Sequence, residues 1–364
     1  MGGKEHAYIQ EAFESNWIAP VGPHITSFEK ELSRICNDSS VAVLNSGTSA
    51  IHLALILLGV THGDEVICSS FTFVASVNPI MYQGANPVFI DSEEDTWNMC
   101  PDLLEIAIKD RIQKGKSVKA IILVHVYGMP AKIKDIIKIA NKYNIPIIED
   151  AAEALGSTYD GQQLGTFGKF GIFSFNGNKI ITTSGGGALL SKDHKLIDKA
   201  KFLATQARDE KPYYQHSEIG YNYRMSNICA GIGLGQLEIL RDRVHKRREI
   251  FNFYRNTLNK FNNILLNNEP NKSFSNRWLT TILFSKESTI DKEQIRLHLE
   301  KKNIEARSLW KPMHLQPVFN KYKMFGGEVS EKLFDRGLCL PSGSAMNEKD
   351  ISRVTHEIKS LYEK

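Results

Sequence analysis

A chain of 364 residues is long enough for two domains, and 42% apolar with 24% charged residues is ordinary globular composition. The formal charge of +4 argues against a nucleic-acid binder but leaves room for a local basic pocket that takes an anion. No apolar run approaches the roughly 20 residues of a membrane span, MGGKEHAYIQEAFESNWIAP lacks a signal-peptide core, and five scattered cysteines without a CxxC pair read as reduced cytoplasmic thiols, not as a disulfide frame or a metal site.

In chain order, VAVLNSG reads as a strand entering a turn and TSAIHLALILLG as the helix after it. DEVICSS is a strand, FTFVASVNPIMYQG is helical and NPVFID is a strand. DLLEIAIKDRIQKG is a helix before the strand KAIILVHVYG. KIKDIIKIANKYN has helical spacing, and IPIIEDA is a short apolar strand ending in acids. FGIFSF and GGALLS bracket a glycine-rich loop. Apolar strands alternating with amphipathic helices predict an α/β fold with a mostly parallel sheet covered on both faces. From about Cys229 one long helical pattern runs through LGQLEILRDRVHKRREIFNFYRNTL. Shorter mixed elements follow, with WLTTILF as a strand and KEQIRLHLEKKN as a helix. The expected division is a large domain over 1–243 and a small C-terminal α/β domain over 244–364. The basic run from Arg241 to Arg248 is expected to be a solvated helix face.

Open parallel sheets bind ligands at the carboxyl ends of their strands, and four features fall there. Asn45-Ser46-Gly47-Thr48-Ser49 lies between a strand and a helix, where free N–H groups and the helix dipole attract an anion. Gly47 allows close approach, and Thr48 and Ser49 add hydroxyl donors; a plain helix cap is the other reading. Glu149-Asp150 ends IPIIED, so a carboxylate there either meets a cationic ring nitrogen or caps the next helix. Lys179 sits in the loop FSFNGNKIITTSGGGALLS. It is either an amine poised to attack a carbonyl or an ordinary solvated lysine. Ser174, five residues before it, could donate to a phosphate, and Gly185, Gly186 and Gly187 permit tight turns. Phe73, in Phe71-Thr72-Phe73, could stack on a flat ring or belong to the core.

Together, NSGTSAIHLAL, FTFVAS, PVFID, HVYGMPAKI, IIEDAAEALGS, LGTFGKFGIFSFNGNKIITTSGGGAL, GYNYRMSNICAGIGLGQLE, LWKPMHLQPVF and LCLPSG resemble, in order and over nearly the whole chain, the DegT/DnrJ/EryC1/StrS family of sugar aminotransferases. The run SFNGNKIITTSGGG is similar to the branch acting on UDP-4-keto-6-deoxy-N-acetylglucosamine. Ala188 and Ser308 depart from that branch, where methionine and proline are more usual.

The resemblance implies an aspartate-aminotransferase-like fold with a seven-stranded type of sheet, and pyridoxal 5'-phosphate as cofactor. Lys179 would carry it as a Schiff base and shuttle protons. Asp150 would bind the pyridine nitrogen, and Thr48, the Gly47 backbone and Ser174 would hold the phosphate. Glu153, one helical turn after Asp150, would face the ring or sugar, and Asn222 would reach the phosphate of the neighbouring subunit in a homodimer. His314 is a sugar contact or merely a packed histidine. Arg224, Arg307 and Lys311 are candidates for the diphosphate or the donor carboxylate. The implied reaction moves an amino group from L-glutamate to a nucleotide-linked 4-keto-6-deoxy sugar. A nucleotide-sugar dehydratase is the nearest alternative, but relatives of that kind carry histidine where Lys179 stands. A non-catalytic sensor on the same scaffold is the other.

Overall fold

The computed structural model describes residues 1–261 and 263–362. Eight strands form the main sheet: β1 (Ser40–Leu44), β2 (Glu65–Ser69), β3 (Asn86–Ile90), β4 (Val118–Val124), β5 (Ile147–Asp150), β6 (Phe170–Ser174), β7 (Gly187–Ser191) and β8 (Lys323–Phe325). Their spatial order is β1-β7-β6-β5-β4-β2-β3-β8. β7 runs antiparallel to both neighbours and the other pairings are parallel. β1–β7 are the expected seven. The eighth comes from far along the chain and pairs with the edge strand β3.

The strands are continuous apolar runs because helices cover both faces. One face carries the core of Leu53, Cys68, Phe89, Ile122 and Ile172. Beyond the other face, two further clusters hold Phe28, Phe173 and Leu190, and Ile67, Ile121 and Ile133. The carboxyl ends of β1, β5 and β6 lie at one end of the sheet, which fixes where a site can form.

Two helical expectations are modified. FTFVASVNPIMYQG breaks into a 3-10 turn, Val74–Ser76, and a short helix, Asn78–Tyr82, because Pro79 has no N–H to continue a helix through it. The long C-terminal pattern divides at Ile239 (φ −108°, ψ 14°) into Asn227–Glu238 and Leu240–Leu258. Leu240 and Val244 still pack against the large-sheet core, whereas Ile250, Phe251, Tyr254 and Leu258 join a separate cluster. That cluster lies on an antiparallel sheet ordered Ile264–Leu266, Thr280–Phe284, Gly337–Leu340, Arg307–Ser308. The chain after 244 does not keep to this unit. Ser273–Phe274 pairs with Thr158–Tyr159, and β8 joins the large sheet. Asp91 fastens that return by accepting from the N–H groups of Gly327 (2.7 Å) and Ser330 (2.9 Å).

Candidate active site

A cavity of about 760 Å³ opens at the carboxyl ends of β1, β5 and β6. Its walls include Gly47, Thr48, Phe73, Asp150, Glu153, Ser174 and Lys179, so seven expected site residues meet in one space.

At one end is the start of the helix Gly47–Leu57, whose first N–H groups have no acceptor within the helix. Ser46 caps it, its hydroxyl accepting from Ser49 N–H at 3.0 Å. β7 returns directly beneath. A Cβ on Gly187 would lie 2.4 Å from the Gly47 nitrogen, so only glycine lets the two backbones meet. Gly187 therefore serves close approach and not a left-handed turn, since its φ is not positive. Ser174 ends β6 against Gly47, with its Cβ 3.3 Å from where a Gly47 Cβ would stand.

Asp150 and Glu149 show what alternation along a strand does. Glu149 is turned away from the cavity, where it accepts from Gly165, Phe167 and Gly168 N–H and pairs with His125 at 3.1 Å. Asp150 lines the cavity, and its Oδ2 accepts from the Ser76 hydroxyl at 2.6 Å. No helix follows, contrary to the capping alternative. Turns carry the chain to Glu153, with Ala152 N–H on Asp150 Oδ1 at 3.2 Å. Glu153 therefore reaches the cavity through a turn and not by helical spacing.

Lys179 Nζ lies 3.2 Å from Glu153 Oε1 and 4.4 Å from the centre of the Trp278 ring. Glu153 Oε2 accepts from Tyr127 N–H at 2.8 Å. Tyr127 holds a left-handed backbone (φ 53°), an uncommon state for a side chain of that size. Burial pushes the Glu153 carboxyl up to about 7, against the pull of Lys179 and the Tyr127 N–H; the nearby Asp150 adds to the rise. Tyr127, Trp278 and Trp310 make an aromatic wall beside this pair, with Tyr127 and Trp310 4.8 Å apart and Phe73 5.9 Å from Trp310. Phe73 is 53% exposed, so it stands at the mouth and not in the core.

Other expected residues lie elsewhere. The Ser49 hydroxyl is spent on Asn45 Oδ1 (2.6 Å) and Ser46 Oγ (2.8 Å) and does not line the cavity. Arg224 is likewise outside it. Its guanidinium donates to Glu29 at 2.6 Å and to the Val43 carbonyl at 2.9 Å, tying the GYNYR segment to β1. His314 bridges the Ser70 hydroxyl (2.7 Å) and Glu331 (3.0 Å), which is the packed-histidine reading within this chain. Arg307 lies on the rim beside Glu305, whereas Lys311 is not on the wall. Asn222 is exposed outside the lining, its carbonyl accepting from Asn45 Nδ2 at 3.2 Å. Reasoning from sequence missed Ser76, Trp278, Trp310 and Asn276. Ser76 sits inside the FTFVAS motif and could have been found there; Trp278 reads as one more apolar strand residue.

A helix start with free N–H groups, a buried carboxylate and a primary amine at one cavity make a donor set that fits pyridoxal phosphate. The chain belongs to the DegT/DnrJ/EryC1/StrS aminotransferase family, whose model matches residues 1–359. It is 52% identical over its full length to the "Putative pyridoxal phosphate-dependent aminotransferase EpsN" of Bacillus subtilis, covering 94% of that protein. It is 38% identical to GDP-perosamine synthase of Escherichia coli O157:H7, over 99% of this chain and 96% of that one. Among solved structures it resembles the "Putative sugar aminotransferase Spr1654 from Streptococcus pneumoniae", determined in PLP and PMP forms. The TM-score is 0.92 at 26% identity, over 99% of this chain and 96% of that one. This protein is an aminotransferase of nucleotide sugars, and pyridoxal phosphate is its cofactor. No described helix is long and apolar enough to cross a membrane.

Proposed function

We propose that this enzyme transfers the amino group of L-glutamate to a nucleotide-linked 4-keto-6-deoxy sugar, with UDP-4-keto-6-deoxy-N-acetylglucosamine as acceptor. The observation that carries the reading is the meeting of Lys179, Asp150 and the Gly47–Leu57 helix start in one cavity. When bound, pyridoxal phosphate supplies an aldehyde that receives the amino group and an electron-poor ring that draws charge from the carbon losing its proton. Asp150 keeps the proton on the ring nitrogen, and Ser76 fixes the carboxylate that does so. Thr48, Ser174 and the Gly47 N–H bind the phosphate. Lys179 would hold the cofactor through its amine and, when freed from it, would carry a proton to and from the substrate. Glu153, with a carboxyl near 7, takes or gives a proton on Lys179 at working pH. Arg307 on the rim meets the diphosphate or a donor carboxylate.

The sites are shared in a homodimer, where the exposed Asn222 reaches the neighbouring subunit's phosphate. Full turnover by a sedimenting monomer would end that part. Lysine at 179 disfavours the dehydratase. The UDP-N-acetyl sugar rests on SFNGNKIITTSGGG, and 38% identity to a GDP-perosamine synthase favours a second reading, a GDP-linked acceptor. Competition among UDP-, GDP- and dTDP-linked ketones at equal concentration, with glutamate as donor, decides. A preference for a GDP- or dTDP-linked ketone above about tenfold, roughly 1.4 kcal/mol of transition-state binding, would sink the UDP assignment.

A further inference from the structure

The basic run Arg241 to Arg248 does not form a uniformly solvated face. Arg247 within it is 7% exposed, and its Nε has no partner among the described residues. Burial, with Arg243 one turn earlier, pushes its pKa down to about 10. An unpaired buried guanidinium is costly, so what it holds matters. Its Nη1 donates to the carbonyl of Trp278.

Trp278 is gripped on three further sides. Its N–H donates to Asn276 Oδ1 at 2.9 Å, its indole Nε1 donates to the Asn178 carbonyl at 2.8 Å, and its ring faces Lys179 Nζ at 4.4 Å. Asn276, fully buried, donates in turn to the carbonyls of Glu153 (2.8 Å) and Leu155 (2.9 Å). Gly128 makes room for it, since a Cβ there would lie 2.0 Å from Asn276 Oδ1. The lysine loop has little support of its own: Asn176, Gly177 and Asn178 are exposed, and Lys179 N–H turns back on the Asn176 carbonyl at 3.0 Å. A lysine on such a loop has many rotamers to lose before it can react.

We propose that Trp278 is a positioning residue: its indole N–H pins the loop at Asn178, its ring face restrains the Lys179 amine, and Arg247 sets its backbone. The segment after the long helix thereby controls the geometry of the lysine. The proposal rests on the reading of Lys179 as the reacting amine.

Hydrogen exchange in the cofactor-free protein tests it without turnover. Trp278→Leu is expected to speed exchange of residues 175–182 about tenfold, with β7 unchanged. Trp278→Phe, which keeps a ring but no N–H, and Arg247→Met each give about threefold. In the loaded enzyme, the half-reaction with L-glutamate, followed by cofactor absorbance, is expected to slow about 30-fold in Trp278→Leu. The half-saturating glutamate stays within about twofold, and Trp278→Phe recovers to within about threefold of wild type. Unchanged loop exchange in Trp278→Leu overturns the proposal, as does faster exchange with an unaltered rate. If Trp278→Leu does not fold, the same exchange measurement on Trp278→Phe and Arg247→Met decides. A wild-type enzyme inert to glutamate counts against the donor, and exchange then decides the role of Trp278.

Discussion

At its anion end the cavity is made from neighbouring strands of the large sheet: the β1 turn, the helix start at Gly47, Ser174 at the end of β6 and the glycine start of β7. At its amine end, Lys179 and Glu153 are held by Tyr127 at a left-handed turn and by Asn276 and Trp278, about a hundred residues further along. The first region depends on local backbone geometry. The second depends on the docking of a distant segment. Substitutions should therefore act independently at the first and propagate at the second.

The largest effect is expected where the ring meets its acid. Asp150→Asn should fold normally and lose about 30- to 150-fold in transamination, because a neutral amide cannot hold the ring nitrogen protonated; the missing charge-assisted bond is worth about 2–3 kcal/mol. Rates near wild type would make Asp150 a turn-former only.

At the amine end, Glu153→Gln should change how stability depends on pH in the cofactor-free protein. The folded carboxyl sits near 7 against an ordinary 4.5, so its protonated form is favoured by folding. That contribution is full below 4.5 and is lost as pH rises through 7. Urea unfolding of wild type should thus weaken between pH 4.5 and 7 by on the order of 2–3 kcal/mol more than that of Glu153→Gln. Parallel profiles would show that Glu153 is already ionised.

The smallest effects belong to the anion end. Thr48→Ala and Ser174→Ala should each weaken pyridoxal phosphate binding about fivefold, roughly 1 kcal/mol, and their effects should be nearly additive because the backbone donors remain. A loss above a hundredfold from either would mean that the hydroxyls, and not the helix start, bind the phosphate.

The same contrast explains what the sequence disclosed. Gly47, Thr48, Ser174, Asp150 and Lys179 each end or follow a strand, and strand ends can be read from apolar runs, so their convergence was legible. Strand ends alone left Glu149 and Asp150 equivalent; the family resemblance singled out Asp150, and the pleat puts the two on opposite faces. Ser49, Arg224 and His314 have the right chemistry for a site, but other groups claim them: the local Asn45 for Ser49, Glu29 for Arg224, and Ser70 with Glu331 for His314. Asn45 lies only four residues before Ser49, but no spacing rule could reveal Glu29, Ser70 or Glu331. Trp278 and Asn276 stayed hidden because a segment about a hundred residues after the lysine supplies and supports that wall of the cavity. Arg247 was hidden in a run whose charge suggested solvent, although its position three residues after the buried Val244 puts it on the inner face of the helix. β8 was likewise too short and too far along the chain for its parallel partner to be read.

The central claim is that Lys179 bonds the cofactor. Wild-type protein loaded with pyridoxal phosphate, reduced with borohydride, digested and analysed by mass spectrometry should carry the reduced cofactor on the peptide containing Lys179. Recovery of the label on any other lysine would contradict the account.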